Sequence, residues 1–148
     1  MLKLTAKRLT IRGPYDIDIP ALPSTLKHLR LSHNKDIKEQ KDLPQLESLQ
    51  VEHSNWFVLH RSMTELIELH LLKTYIPVKE VGALIAKSLN LKIIDIVECY
   101  STPFQLSVAN HPSVQRISLT ESDYRLVLFN LPKLRSVECN NQLKFTTF

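Results

Sequence analysis

Aliphatic residues recur along the chain in a nine-place pattern, apolar at the first, fourth and sixth places and polar or mixed between them. The clearest copy is Leu26-Lys27-His28-Leu29-Arg30-Leu31-Ser32-His33-Asn34. Others begin at Ala6, Leu46, Leu66, Leu91, Val114 and Leu134, so first places are spaced by 20, 20, 20, 25, 23 and 20 residues. Within each copy the fourth and sixth places alternate with polar neighbours, the period of a strand with one face buried. Each copy predicts a short strand, and a repeat of this length predicts a solenoid in which no unit buries its apolar edge alone.

Two further signals agree with stacked strands. The ninth place holds Asn34, Ser54, Thr74, Cys99, Ser122 and Gln142, small or polar groups able to bond the backbone of the turn that follows each strand. Prolines 20, 23, 44, 77, 103, 112 and 132 fall between the strand segments, where they delete no ladder hydrogen bond. The return segments are expected to be mostly irregular or 3₁₀. The exception is Pro77–Asn90, where Val78, Val81, Leu84 and Ile85 lie at helical spacing behind a proline suited to a helix start. A helix near 78–88 also accounts for the 25-residue spacing.

With these residues in view, the chain resembles a leucine-rich repeat domain over its whole length. Ile19-Pro20-Ala21-Leu22-Pro23-Ser24-Thr25, running into Leu26–Asn34, is similar to the short repeats of bacterial effectors and comparable amoebal proteins. Leu43-Pro44 and Leu131-Pro132 keep half of that doubled motif. Cys99 and the helical return resemble the longer, ribonuclease-inhibitor-like repeat. The resemblance implies an α/β solenoid: a right-handed coil, with about seven parallel strands on a concave face. Residues 1–148 would form one such domain. Proteins of this family commonly bind partners on the concave sheet, and effectors of this kind often join the repeats to a ubiquitin-ligase domain.

Composition narrows the function classes. The chain has 148 residues, 43% of them hydrophobic, and a net charge of +4. No long run of one sign appears, which disfavours a strongly electrostatic nucleic-acid binder. Lysines and arginines at 3, 7, 8 and 12 interrupt the N-terminus before a signal-like apolar stretch forms, and no apolar segment approaches membrane-spanning length. With two cysteines and no disulfide framework, the expected setting is intracellular, or a host cell if the chain is a delivered effector.

On the concave face, like places in successive repeats form columns about 4.8 Å apart. The third reads Arg8, His28, Ser48, Glu68, Ile93, Arg116, Ser136; the fifth reads Thr10, Arg30, Gln50, His70, Asp95, Ser118, Glu138. The seventh carries Glu52, Leu72 and Val97, and the eighth Gly13, His33, His53, Lys73, Glu98 and Glu121. Leu72, Ile93 and Val97 are aliphatic at places expected to face water, flanked by Glu68, His70, Asp95, Glu98, Glu121 and Arg30. An apolar patch ringed by charge is the usual form of a protein-binding hot spot, so these nine residues are the expected partner-binding set.

Other chemistry fits less well. His33 and His53 are neighbours, but no cysteine or fixed ligand motif joins them, so neither a metal nor any other cofactor is expected. His70, Asp95 and Ser118 share a column, yet Asp95 takes the middle strand, where a catalytic triad needs the histidine. No enzyme activity is expected. Cys99 and Cys139 read as core fillers and Trp56 as packing in the return layer. A nucleic-acid-associated factor using Lys7, Arg8, Arg12, Lys27 and Arg30 is the alternative function, and a substrate receptor of a ubiquitin ligase a special case of the first. Phe145 and Phe148 are expected to leave aromatic surface at an open C-terminal end, a route to self-association.

Overall fold

The computed structural model describes residues 6–14, 22–33, 43, 45–54, 63–75, 77–100, 105–122, 125–140 and, by their backbone, 143–146. The expectations for Lys3, Pro20, Asn34, Pro44, Trp56, Pro103, Gln142, Phe145 and Phe148 fall outside these residues or on side chains not described. Seven strands form one parallel sheet in the order β1 (Arg8–Arg12), β2 (His28–Ser32), β3 (Ser48–Glu52), β4 (Glu68–Leu72), β5 (Ile93–Val97), β7 (Arg116–Thr120), β9 (Ser136–Cys139). Their register matches the repeat place for place: Leu29 faces Leu49, Leu49 faces Leu69, Leu69 faces Ile94, and Ile94 faces Ile117. The chain is a parallel-strand solenoid.

The core follows from the pattern. Leu29, Leu49, Leu69, Ile94 and Ile117 at the fourth place are buried, as are Leu31, Val51, Leu71, Ile96 and Leu119 at the sixth. First-place Leu26, Leu46, Leu66, Leu91 and Val114 close the same cluster. Before most strands the same tight turn appears: Leu26 N–H donates to Pro23 O, Leu46 to Leu43 O, Leu66 to Met63 O, Leu91 to Ser88 O and Leu134 to Leu131 O. One local geometry is used each time, so the strands stack in register.

The return layer differs from expectation. Helix α1 (Val78–Lys87) forms where the spacing puts it, with Val78, Val81, Leu84 and Ile85 buried. The returns after it, however, are not irregular. Strands β6 (Gln105–Ala109), β8 (Arg125–Phe129) and β10 (Leu143–Thr146) pair into a second parallel sheet, and α1 packs against β6. The reason is visible in the residues: Leu106 and Val108, then Leu126 and Leu128, alternate with outward neighbours and are buried. That period-two signal builds strands on both sides of the later coils. Among the described residues no 3₁₀ segment occurs.

The eighth place also differs. It lies beyond each strand, in the turn: Gly13 has φ 122°, and His33, His53, Lys73, Glu98 and Glu121 have φ between 45° and 59°. The left-handed residue keeps the ladder for one more rung, His33 N–H bonding Glu52 O, His53 Leu72 O, Lys73 Val97 O and Glu98 Thr120 O. It then turns the chain so that the ninth side chain points inward, and Ser54, Thr74, Cys99 and Ser122 are all buried. Asn110 and Asn130 make the same left-handed turn in the second sheet, with Asn130 Nδ2 donating to Asn110 Oδ1 at 2.8 Å. Asparagine tolerates that backbone better than most residues.

Candidate partner-binding face

The outward places of β1 to β5, β7 and β9 form the candidate site. Parallel register puts Thr10, Arg30, Gln50, His70, Asp95, Ser118 and Glu138 in one row across the sheet, as the spacing predicted. Leu72 and Val97 are direct cross-strand partners, and both are half-buried. Ile93 does not join them. It pairs with Glu68 at the opposite end of β5, with Asp95 between it and Val97. Four residues of strand separate Ile93 from Val97 by about 13 Å. The apolar feature is therefore a two-residue patch, with a lone isoleucine across a charged centre.

That centre is compact. His70 sits between two carboxylates, its Nδ1 3.4 Å from Asp95 and its Nε2 3.5 Å from Glu68. Shallow hollows lie on either side. One, of about 460 Å³, is bordered by Arg8, Thr10, His28, Arg30, Gln50 and Glu68. The other, of about 440 Å³, is bordered by Asp95, Arg116, Ser118, Ser136 and Glu138. Asp95 stands between His70 and Ser118, the order that a triad does not use.

Charges near the first hollow are largely paired within the chain. Lys27 Nζ lies 2.6 Å from Glu47, and Arg30 donates to both oxygens of Glu52 at 2.9 and 3.1 Å. The Lys27 hydrogen bond, with the charges of Lys27 and His28, holds the Glu47 carboxyl below its ordinary value against an opposing effect of burial. For Glu52, burial raises the carboxyl, but hydrogen bonds from Arg30, Gln50 and Ser32 and the Arg30 charge together hold it below its ordinary value. Glu98 pairs with Lys73 at 3.2 Å on the rim, whereas Glu121 is exposed and makes no ion pair with a described residue.

His33 and His53 stack, ring centroids 4.5 Å apart and planes within 16°, with Ser32 Oγ 2.7 Å from His33 Nδ1. Neighbouring eighth places bring them together. No group of three or more metal-ligating side chains occurs among the described residues. Cys99 and Cys139 are not joined in a disulfide. Burial pushes the Cys99 thiol up, and its sulfur lies 3.2 Å from Thr74 Oγ1 in the ninth-place ladder. Its backbone N–H donates to Ser122 Oγ at 3.0 Å, and Ser122 donates in turn to Thr120 O. The ninth place is thus the buried polar seam that the sequence suggested.

Two exposed side chains escaped the sequence reading. Tyr75 and Tyr100 follow the ninth place in successive repeats, are 58% and 52% exposed, and line one hollow of about 260 Å³ with Lys73, Thr74 and Glu98. Their equal position, one place after Thr74 and Cys99, was the available signal. No helix among the described residues is long and apolar enough to cross a membrane. Comparison with protein-family models, curated proteins and solved structures gave no match.

Proposed function

We propose that this chain is a leucine-rich-repeat binding module that docks a protein partner on the outward face of its seven-stranded sheet and performs no chemistry itself. The observation that carries the reading is the Leu72–Val97 pair. Two aliphatics lie side by side, partly open to solvent, beside the Glu68–His70–Asp95 cluster. A small apolar anchor site next to charges that fix orientation is how interface hot spots are built. Leu72, Val97, His70 and Asp95 form the centre, with Glu68 and Ile93 paired at the far end of their strands and Arg30, Glu98 and Glu121 around it. An intracellular setting accords with Cys99 and Cys139 not being joined in a disulfide.

The nucleic-acid alternative is weaker, because Lys27 and Arg30, two of its five cations, are neutralised by Glu47 and Glu52. The test is affinity capture with the immobilised chain against its Leu72→Glu, Val97→Glu double variant. Both side chains point away from the core, so circular dichroism should be unchanged while the captured protein is lost. Equal capture by the two chains would remove the proposed face.

A further inference from the structure

We infer that the two outer edges of the seven-stranded sheet bind each other between molecules: β9 of one copy pairs in parallel with β1 of the next, and the chain associates head to tail. β1 and β9 are the outer strands of that sheet. None of the nine residues of the docking face lies on either strand, so this inference does not depend on that reading. The occupant is a second copy because each edge presents what the other one lacks.

At every junction inside the sheet, the second-place carbonyl of one coil takes two N–H groups from the next. Lys7 O takes those of Lys27 and His28, Lys27 O those of Glu47 and Ser48, and so on to Gln115 O with Arg135 and Ser136. At the far edge Arg135 O receives no bond from a described residue, and at the near edge the Lys7 and Arg8 N–H groups give none. Joined, the two edges make one more junction of the same kind. The apolar places agree. Leu9 and Ile11 in the first coil, and Leu134, Val137 and Cys139 in the last, are half-buried, whereas the fourth- and sixth-place side chains of the coils between are buried. When the β7–β9 register is carried one step further, Val137 meets Leu9 and Cys139 meets Ile11. Each end then covers the other as inner coils cover their neighbours.

Charge fits the same register, in a geometry the sheet already uses. Arg30 at the fifth place of β2 pairs with Glu52 at the seventh place of β3, at 2.9 Å. Across the new junction the fifth place is Glu138 and the seventh is Arg12, the same diagonal with the signs exchanged, and both side chains are exposed. One opposing contact comes with it. Lys7 and Arg135 meet at second places, where Lys27 and Glu47 form an ion pair at 2.6 Å. Both are exposed, so solvent and salt screen their repulsion. Because the two edges differ, the contact is heterologous and repeats from molecule to molecule.

The experiment is sedimentation velocity of the full chain from about 10 µM to about 1 mM. The weight-average sedimentation coefficient should rise with concentration and pass the dimer value. Glu138→Arg alone and Arg12→Glu alone should each weaken association about threefold to tenfold. Both positions are exposed, so circular dichroism should not change. An equimolar mixture of those two variants should associate as tightly as the parent, since each edge then meets its opposite charge. Arg135→Glu should tighten association by offering Lys7 the partner that Glu47 gives Lys27. A chain that stays monomeric throughout, growth that stops at a dimer, single variants that associate like the parent, or a mixture no stronger than its components would each overturn the pairing. The Leu72→Glu, Val97→Glu capture test reads the outward face and can fail separately.

Discussion

The imidazole of His111 donates its Nε2–H to the backbone carbonyl of Ser88 at 2.9 Å, and both residues are fully buried. Its Nδ1 accepts from Ser113 N–H and Val114 N–H, each at 3.3 Å. In the coils with the common turn, the first-place N–H bonds the carbonyl three residues earlier; in this coil the His111 side chain supplies the acceptor. His111 therefore fastens the end of α1 to the turn that opens β7. His111→Ala leaves the Ser88 carbonyl with Leu91 N–H as its one donor and leaves two amides, the buried one of Val114 and the half-buried one of Ser113, to find new acceptors. A loss of about 2–4 kcal/mol is expected in urea unfolding. A loss below about 1 kcal/mol would mean that water or backbone movement satisfies those groups equally well.

Ser88 offers the opposite case. Its Oγ is buried, and no described residue bonds it. Ser88→Ala removes that hydroxyl and keeps the carbonyl that His111 uses. Stability should be unchanged within about 0.5 kcal/mol, or rise, since an unsatisfied buried hydroxyl contributes nothing favourable. A clear loss in the same urea assay would show that the hydroxyl has a partner.

The seven-stranded sheet was legible because each strand shows its period to the reader. Leu29, Leu31 and their equivalents have to be buried together, and their constant places within each copy fix register whatever the length of the return, so the row from Thr10 to Glu138 is readable from the sequence. The second sheet was also written there, in Leu106, Val108, Leu126 and Leu128. A nine-place repeat template passes over it, because it treats those stretches as irregular returns. Ile93, at the third place, groups with seventh-place Leu72 and Val97 only as an outward aliphatic, a grouping that takes no account of the distance along β5. His111 was not legible: its role depends on a carbonyl 23 residues earlier, brought near only when the coils stack. Nor were the left-handed turns at Lys73, Glu98 and Glu121 legible, because those side chains carry no preference for positive φ.

Glu121 makes that last point testable. Its φ of 51° is imposed by the turn. A residue other than glycine in this region is strained by about 1 kcal/mol, while glycine gains freedom in the unfolded chain. Glu121→Asn keeps the unfolded entropy near that of the parent and suits the left-handed region. It should stabilise the fold by a few tenths of a kcal/mol to about 1 kcal/mol, and Glu121→Gly by less. A destabilising Glu121→Asn would show that this turn is not left-handed in solution.

Glu52 predicts how the fold responds to acid. Burial works against its charge, yet bonds from Gln50 at 2.7 Å, Arg30 at 2.9 and 3.1 Å and Ser32 at 3.4 Å, with the Arg30 charge, keep the carboxyl below its ordinary range. A group whose folded value is depressed stabilises the fold fully above its unfolded value, about 4.3 for glutamate. That contribution fades as pH falls through the lower folded value. Glu52→Gln should therefore be less stable than the parent near neutrality, and the gap should close on titration from about pH 7 to about pH 3. Urea midpoints across that range measure the gap directly. A gap that stays constant would mean that the carboxylate's charge is not what Arg30 and Gln50 hold, and that the loss comes from shape alone.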